Sequence, residues 1–156
     1  MPQDVAGLSA LPTMRWLTAA GTTVINAGEP VCQTAAGSKY AIAAGDGTPV
    51  IGTDIVLGIA ATTSTQTASA DGEVYVYIPM PGVTFAGQAK LATAVDTQAE
   101  IDALTGKRVV WDLTAGVYTI DSAAGDSSTN GIFIEGGIPS TSTLFFKIRS
   151  SGTVLN

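Results

Sequence analysis

The chain has 156 residues, enough for one domain that buries its own hydrophobic core. Hydrophobic residues make up 46% of the sequence and charged residues 13%, a composition typical of a folded protein. The net charge of −6, with seven basic residues, disfavours nucleic-acid binding, and the absence of histidine removes the commonest acid–base catalyst and metal ligand.

The first residues favour neither a helix nor a central strand. Residues 1–13 contain two prolines, a glycine and several small residues, which predicts an extended N-terminal arm. They lack a basic region followed by a long apolar stretch, so we expect no secretory signal peptide. No stretch of the chain approaches the roughly 20 apolar residues of a membrane span, so we expect no membrane partner.

Short β-type runs separated by turn residues follow the arm. Strands are predicted at 14–18, 22–25, 31–34, 40–43, 50–51, 55–61, 73–78, 83–86 and 89–91. The run 55–61 is apolar on both faces, which predicts a central strand that is covered on both sides. Residues 62–71 are rich in Thr, Ser and Ala and predict a loop.

The run 73–78 alternates between two kinds of side chain. Val74, Val76 and Ile78 point one way and are predicted to be core. Tyr75 and Tyr77 point the other way, which leaves open either exposure or burial in an interface.

One helix is predicted, at about 98–105. Thr97 and Glu100 have the spacing of a capping box, in which each side chain satisfies a free amide at the helix start. Gly106 is suited to the position just after the helix end. Two helical turns are too short to be stable alone, so we expect this helix to dock on a sheet.

The second half returns to β-type runs. Residues 108–113 and 117–120 predict a hairpin through Thr114-Ala115-Gly116, and further strands are expected at 131–135 and 144–149. About ten short strands at close spacing predict an all-β fold, an antiparallel β-barrel or sandwich with one short helix. We expect a single β-rich domain over residues 14–156.

The residues that carry chemistry are few. The aspartates near predicted turns are expected to cap turns and strand ends, and they are Asp46, Asp54, Asp71, Asp112, Asp121 and Asp126. A pair of them could serve glycoside hydrolysis only at a separation that the sequence does not give. The lone Cys32 is predicted to be a small buried hydrophobe, which suits synthesis in a reducing cytoplasm. We expect no enzyme activity, no catalytic residue, no cofactor and no metal site.

Several glycine-containing β motifs follow one another in a recognisable order. They are Gly28-Glu29-Pro30-Val31, Ile55-Val56-Leu57-Gly58-Ile59-Ala60 and Gly72-Glu73-Val74-Tyr75-Val76-Tyr77, followed by the runs 106–112, 116–119 and 130–134. Over residues 14–149 this order resembles the small capsid decoration (cement) proteins of tailed bacteriophages. The resemblance implies a non-catalytic homotrimer made in the host cytoplasm. It also implies binding to the major capsid protein on the outer surface of the virion, and stabilisation of the capsid.

Two regions are candidates for contacts with partners. The residues of the arm expected to bind the capsid are Pro2, Gln3, Asp4, Val5, Leu8 and Leu11. Tyr75 and Tyr77 are the candidate subunit interface, whereas Trp16 and Trp111 are predicted to be core. The alternative left open is a β-sandwich adhesion or carbohydrate-binding module of a phage fibre or bacterial surface protein, which would need an exposed aromatic shelf.

Overall fold

The computed structural model describes residues 11–91 and 95–149 of the chain. Within these ranges the helix α1 spans Gln98–Leu104, and a single 3₁₀ turn spans Pro139–Thr141. The strands are β1 Thr13–Thr18, β2 Pro30–Gln33, β3 Ala41–Ala43, β4 Val56–Ala60, β5 Gly72–Tyr77, β6 Phe85–Gln88, β7 Arg108–Val109, β8 Trp111–Thr114, β9 Val117–Ile120, β10 Ile132–Ile138 and β11 Thr143–Ile148.

These strands form three antiparallel sheets. The first has the order β1-β5-β4-β2-β3, the second the order β6-β11-β10-β7, and the third is the hairpin β8-β9. The all-β antiparallel prediction with one short helix is therefore confirmed. The barrel prediction is not, because no sheet closes on itself within the described residues.

The first sheet curls until its two edges touch at one point. Leu17 of β1 forms a single parallel bridge with Tyr40, the residue before β3. The inner face of the curl is a hydrophobic core in which Val31, Leu57, Val74 and Val76 are buried together. Curvature of this kind follows from the twist of short strands around a filled interior.

The central strand β4 is buried on both faces, as its apolar sequence predicts. Leu57 packs into the core inside the curled sheet, whereas Val56 packs into a second core on the outside. Gly58 has φ +139°, and a Cβ on it would lie 1.9 Å from the carbonyl oxygen of Tyr77. Only glycine permits β4 and β5 to approach this closely.

The second core joins both large sheets to the helix. Cys32 and Val56 of the first sheet lie in one cluster with Ile132 and Leu144 of the second. Ile101 of α1 belongs to the same cluster and is 2% exposed, so the helix docks on a sheet as its length requires.

Both ends of α1 follow their sequence signals. The Thr97 hydroxyl accepts a hydrogen bond from the Glu100 amide at 3.3 Å, and the Glu100 carboxylate accepts one from the Thr97 amide at 3.0 Å. Gly106 follows the helix end with φ +87°. The helix ends at Leu104, one residue before the predicted end. Among the described residues, no helix is both long enough and apolar enough to cross a membrane.

The predicted strand at 22–25 does not form. The Ile25 amide donates to the Ser64 hydroxyl at 2.8 Å, and the Gln66 side-chain amide donates to the Thr23 carbonyl at 2.8 Å. Side chains of the 62–71 loop thus form hydrogen bonds with backbone groups of residues 22–25 that would otherwise pair with a neighbouring strand. Ile25 is still fully buried, so the apolar residues of the segment 22–25 indicated burial and not strand pairing.

Other strand boundaries also differ from prediction. β1 begins at Thr13, one residue before the predicted strand start at residue 14, because Thr13 pairs with Tyr77. The predicted pair of strands at 83–86 and 89–91 is replaced by β6, which pairs with β11, and Ala89 makes only an isolated bridge. The predicted arm residues Pro2, Gln3, Asp4, Val5 and Leu8 lie outside the described residues.

The predicted strand 108–113 divides at Val110. β7 pairs with β10 in the second sheet, whereas β8 forms the predicted hairpin with β9. The Trp111 amide donates to the Thr48 carbonyl, which holds β8 away from the line of β7. Ala115 and Gly116 have φ +52° and +79°, as a two-residue hairpin turn requires, so the hairpin prediction is confirmed.

We predict that Val76→Asp unfolds the protein. Val76 is 0% exposed, so the new carboxylate would be buried without a partner, at a cost above about 4 kcal/mol in the free energy of unfolding. The matched control is Tyr75→Asp, one residue along the same strand, where the side chain is 40% exposed and the expected cost is about 1 kcal/mol. Urea unfolding followed by circular dichroism measures both, and equal losses would contradict the burial pattern.

Candidate functional site

An open groove with a volume of about 630 Å³ lies beside the end of β5. We name it the Trp16 groove, and it is lined by Met14, Trp16, Val56, Leu57, residues 78–83, Lys147, Ile148 and Arg149. The strand pairing explains its position. β1 starts where β5 ends, and the Ile78 amide donates to the Pro12 carbonyl at 3.1 Å, which fixes the segment after β5 against the start of β1.

The side chains that line the Trp16 groove are apolar or cationic. Its apolar members include Met14 and Trp16 of β1 and Met80 of the segment after β5. No carboxylate, amide or hydroxyl side chain belongs to this lining, and its charged members are Lys147 and Arg149. The groove therefore offers apolar contacts and positive charge.

The two cations of the groove have different partners. Lys147 pairs with the Glu135 carboxylate, which also accepts a hydrogen bond from the Thr84 hydroxyl at 2.8 Å. These bonds, that of Lys147 first, lower the pKa of Glu135. Arg149 lies with its guanidinium 5.0 Å from the centre of the Phe133 ring, and it takes part in no ion pair among residues 11–91 and 95–149.

The two candidate interface tyrosines lie on the outer face of the curled sheet. Val74 and Val76 are fully buried, Tyr75 is 40% exposed and Tyr77 is half-buried, so the predicted facing of this strand is confirmed for these four residues. Ile78 is half-buried and lines the Trp16 groove, which corrects its assignment to the core. The structure does not bring Tyr75 or Tyr77 into the groove.

Further side chains complete this outer face. Arg15 lies opposite Tyr75 in the β1–β5 pairing and forms a salt bridge of 3.0 Å with Glu73. Leu11, the candidate capsid-binding residue that the structure describes, is 47% exposed just before β1. The face thus combines aromatic, apolar and charged groups that are accessible to another molecule.

The two tryptophans have different environments. Trp111 is 3% exposed in the second core, as predicted. Trp16 is only partly buried, because one side packs on the core of the curled sheet while the other forms a wall of the groove. Alternation along β1 places Trp16 on the inner face, but the sequence contains no signal that the groove is open there.

The predicted turn and cap roles are confirmed for Asp46, Asp54, Asp71, Asp121 and Asp126, whereas Asp112 lies within β8 and is bonded by side chains. Each accepts hydrogen bonds from nearby groups of the fold: Asp46 from the Leu113 amide, Asp54 from the Val50 amide, Asp71 from the Ala20 amide, Asp121 from the Ala123 amide, Asp126 from the Arg108 amide, and Asp112 from Lys90 and Thr114. In the described part of the chain, no three His, Cys, Asp or Glu side chains gather as metal ligands would.

Cys32 is buried, in agreement with the sequence prediction. Burial, and to a smaller extent the charge of Asp54, raises the pKa of its thiol to about 12. The thiolate, which is the reactive form, is therefore scarce at neutral pH.

Asp71 connects three parts of the curled sheet. One carboxylate oxygen accepts a hydrogen bond from the Tyr40 hydroxyl at 2.7 Å, and the other accepts one from the Ala20 amide at 2.9 Å. These two bonds, the Tyr40 bond first, lower the pKa of Asp71 below its ordinary value of 3.8. Because Tyr40 is also the residue that bridges to Leu17, Asp71 supports the point at which the two sheet edges meet.

We predict that Tyr40→Phe makes the protein less stable in a pH-dependent way. The folded-state pKa of Asp71 is depressed, so its contribution is present above pH 3.8 and is lost as the pH falls through the folded-state pKa. The stability difference between wild type and Tyr40→Phe should therefore shrink toward low pH, as measured by urea unfolding at several pH values. Tyr118→Phe is the matched control, because its hydroxyl donates to the Ala44 carbonyl, which does not titrate. A difference that stays constant with pH for Tyr40→Phe would refute the role of Asp71.

Comparisons with known proteins found no relative of this chain. The sequence matches no protein-family model, and no similar protein was found among curated proteins or solved structures.

Proposed function

We propose that this chain is a structural virion protein that binds the outer surface of an assembled phage capsid as a homotrimer and stabilises the shell. The observation that carries the proposal is the outer face of β1 and β5, where Leu11 and Tyr75 are exposed at the point where the N-terminal residues enter the sheet. Large exposed apolar and aromatic side chains on a rigid sheet are typical of protein interaction surfaces.

The position of β1 supports attachment through the sheet. β1 is an edge strand, and on its free side the described residues supply one bridge, from Leu17 to Tyr40. Edge strands present backbone amides and carbonyls that can pair with an extended segment of a partner. Leu11 and Pro12 lead into this edge, and in this proposal the N-terminal residues bind the capsid.

The use of the acidic side chains supports a structural role rather than a chemical one. Asp46, Asp54 and Asp126 accept hydrogen bonds from backbone amides and so hold loops in place. Asp112 is held by Lys90 and Thr114, which lower its pKa. A catalytic carboxylate, by contrast, commonly needs a raised pKa and access to substrate.

Attachment as a trimer would allow binding sites that are weak individually to hold the protein on the capsid. Three copies of one contact bind together, so a modest affinity per site gives a much higher overall affinity for the lattice. Because the protein would bind the assembled shell and not the separated subunits, mass action would stabilise the shell. The partners in this proposal are the major capsid protein and two further copies of the chain.

We predict that the purified protein sediments with capsids that lack it and raises their rupture temperature. The double variant Tyr75→Ala/Tyr77→Ala should keep the fold and lose binding by about tenfold or more, because aromatic interface residues carry much of the binding free energy. The matched control is Leu91→Ala/Val117→Ala, which removes two exposed side chains, 92% and 61% exposed, outside the β1–β5 face.

The two readouts separate the parts of the proposal. Failure of the wild-type protein to sediment with capsids would refute attachment. Sedimentation with full occupancy but an unchanged rupture temperature would refute stabilisation and favour surface adhesion. A mass in solution of one chain rather than three would refute the trimer.

We also predict that deletion of residues 2–10 leaves the fold intact and weakens capsid binding. β1 starts at Thr13 and keeps its full pairing with β5 in this variant. Circular dichroism checks the fold, and co-sedimentation with capsids measures the binding. Capsid binding equal to that of the full chain would show that the N-terminal residues are not an attachment arm.

A further inference from the structure

The Trp16 groove is a binding surface that the proposed attachment face does not use. It lies on the inner side of β1, whereas Tyr75 and Tyr77 lie on the outer side of the sheet. Its volume of about 630 Å³ falls within the range of roughly 300–1,000 Å³ found for small-molecule sites.

The polarity of the lining restricts the class of ligand. Sugars and nucleotides carry many hydroxyl or amide groups, and each needs a partner when it leaves water. The groove offers no carboxylate, amide or hydroxyl side chain to meet them. The side chains of the lining therefore favour a ligand with an apolar body.

The walls also favour a flexible chain over a rigid ring system. Met14 and Met80 face the groove, and methionine side chains adapt their unbranched, polarisable thioethers to the shape of what they contact. Trp16 adds a large apolar surface next to Met14. An unbranched alkyl chain can follow such walls without a fixed shape of its own.

The charge of the rim restricts the head group. Lys147 is neutralised by its ion pair with Glu135, so the rim carries one positive charge that no described carboxylate balances, that of Arg149. A guanidinium group binds a carboxylate through two parallel hydrogen bonds. The position of Arg149 beside an apolar groove therefore matches a ligand with one terminal carboxylate.

We propose that the Trp16 groove binds an unbranched aliphatic carboxylate of medium chain length, that is, a fatty acid. The alkyl chain lies against Met14, Trp16 and Met80, and the carboxylate pairs with the Arg149 guanidinium. This proposal stands independently of capsid binding, because it uses the inner side of β1.

Titration calorimetry of the full chain with decanoate tests the proposal, at concentrations below those at which decanoate forms micelles. We expect saturable binding of one decanoate per chain, with a change in tryptophan fluorescence that persists in Trp111→Phe, where Trp16 is the remaining tryptophan. Decan-1-ol, which lacks the charge, should bind about tenfold more weakly, and decyltrimethylammonium, which carries the opposite charge, should not bind.

Two variants assign the binding to the groove. Arg149→Gln should weaken decanoate binding about tenfold, whereas Lys107→Gln, which removes an exposed cation outside the groove, should leave it unchanged. Met80→Glu places a carboxylate on the rim at a side chain that is 40% exposed, so it should abolish binding without unfolding the chain. Circular dichroism confirms the fold of each variant.

Several results would overturn the proposal. Absence of saturable decanoate binding would do so, as would equal affinity for decanoate, decan-1-ol and decyltrimethylammonium. Equal effects of Arg149→Gln and Lys107→Gln would remove the assigned carboxylate partner. A fluorescence change of Trp111→Phe on dilution of the protein alone, with no response to decanoate, would assign the groove to contacts with a second copy of the chain.

Discussion

The structure depends on one close contact, between Gly58 of the central strand β4 and the Tyr77 carbonyl of β5. A side chain at residue 58 would occupy the space of that carbonyl, so the two strands approach only because residue 58 is glycine. This contact places Leu57 inside the curled sheet and Val56 outside it, where each belongs to a different core. The same strand therefore holds the curled sheet together and attaches it to the second sheet.

The Trp16 groove lies where the pairing of β5 ends. β5 ends at Tyr77, and beyond the hydrogen bond from the Ile78 amide to the Pro12 carbonyl the chain continues through Pro79 and Pro81. The groove lies between this segment, the start of β1 and the end of β11. Its position thus follows from the strand pairing, and its lining comes from both large sheets and from the segment after β5.

Local signals made much of the fold predictable. The capping box of Thr97 and Glu100 set the start of α1, and the apolar run around Val56 identified the central strand. Residues 22–25 could not be predicted, because Ser64 and Gln66, about forty residues away, take the hydrogen bonds of that segment. The groove could not be predicted either, since Trp16 and Arg149 are far apart in the sequence and line one groove only because two different sheets pack together.

The pairing of β1 has a mechanical consequence. Six residues of β1, Thr13–Thr18, lie in register with six of β5, and the chain enters this ladder from its N-terminal end. A tensile force directed along β1 shears the whole ladder at once, whereas a force directed across β1 peels its bonds apart one by one. Shear loads all the interstrand hydrogen bonds in parallel, so the β1–β5 pair resists a pull along β1 better than a pull across it.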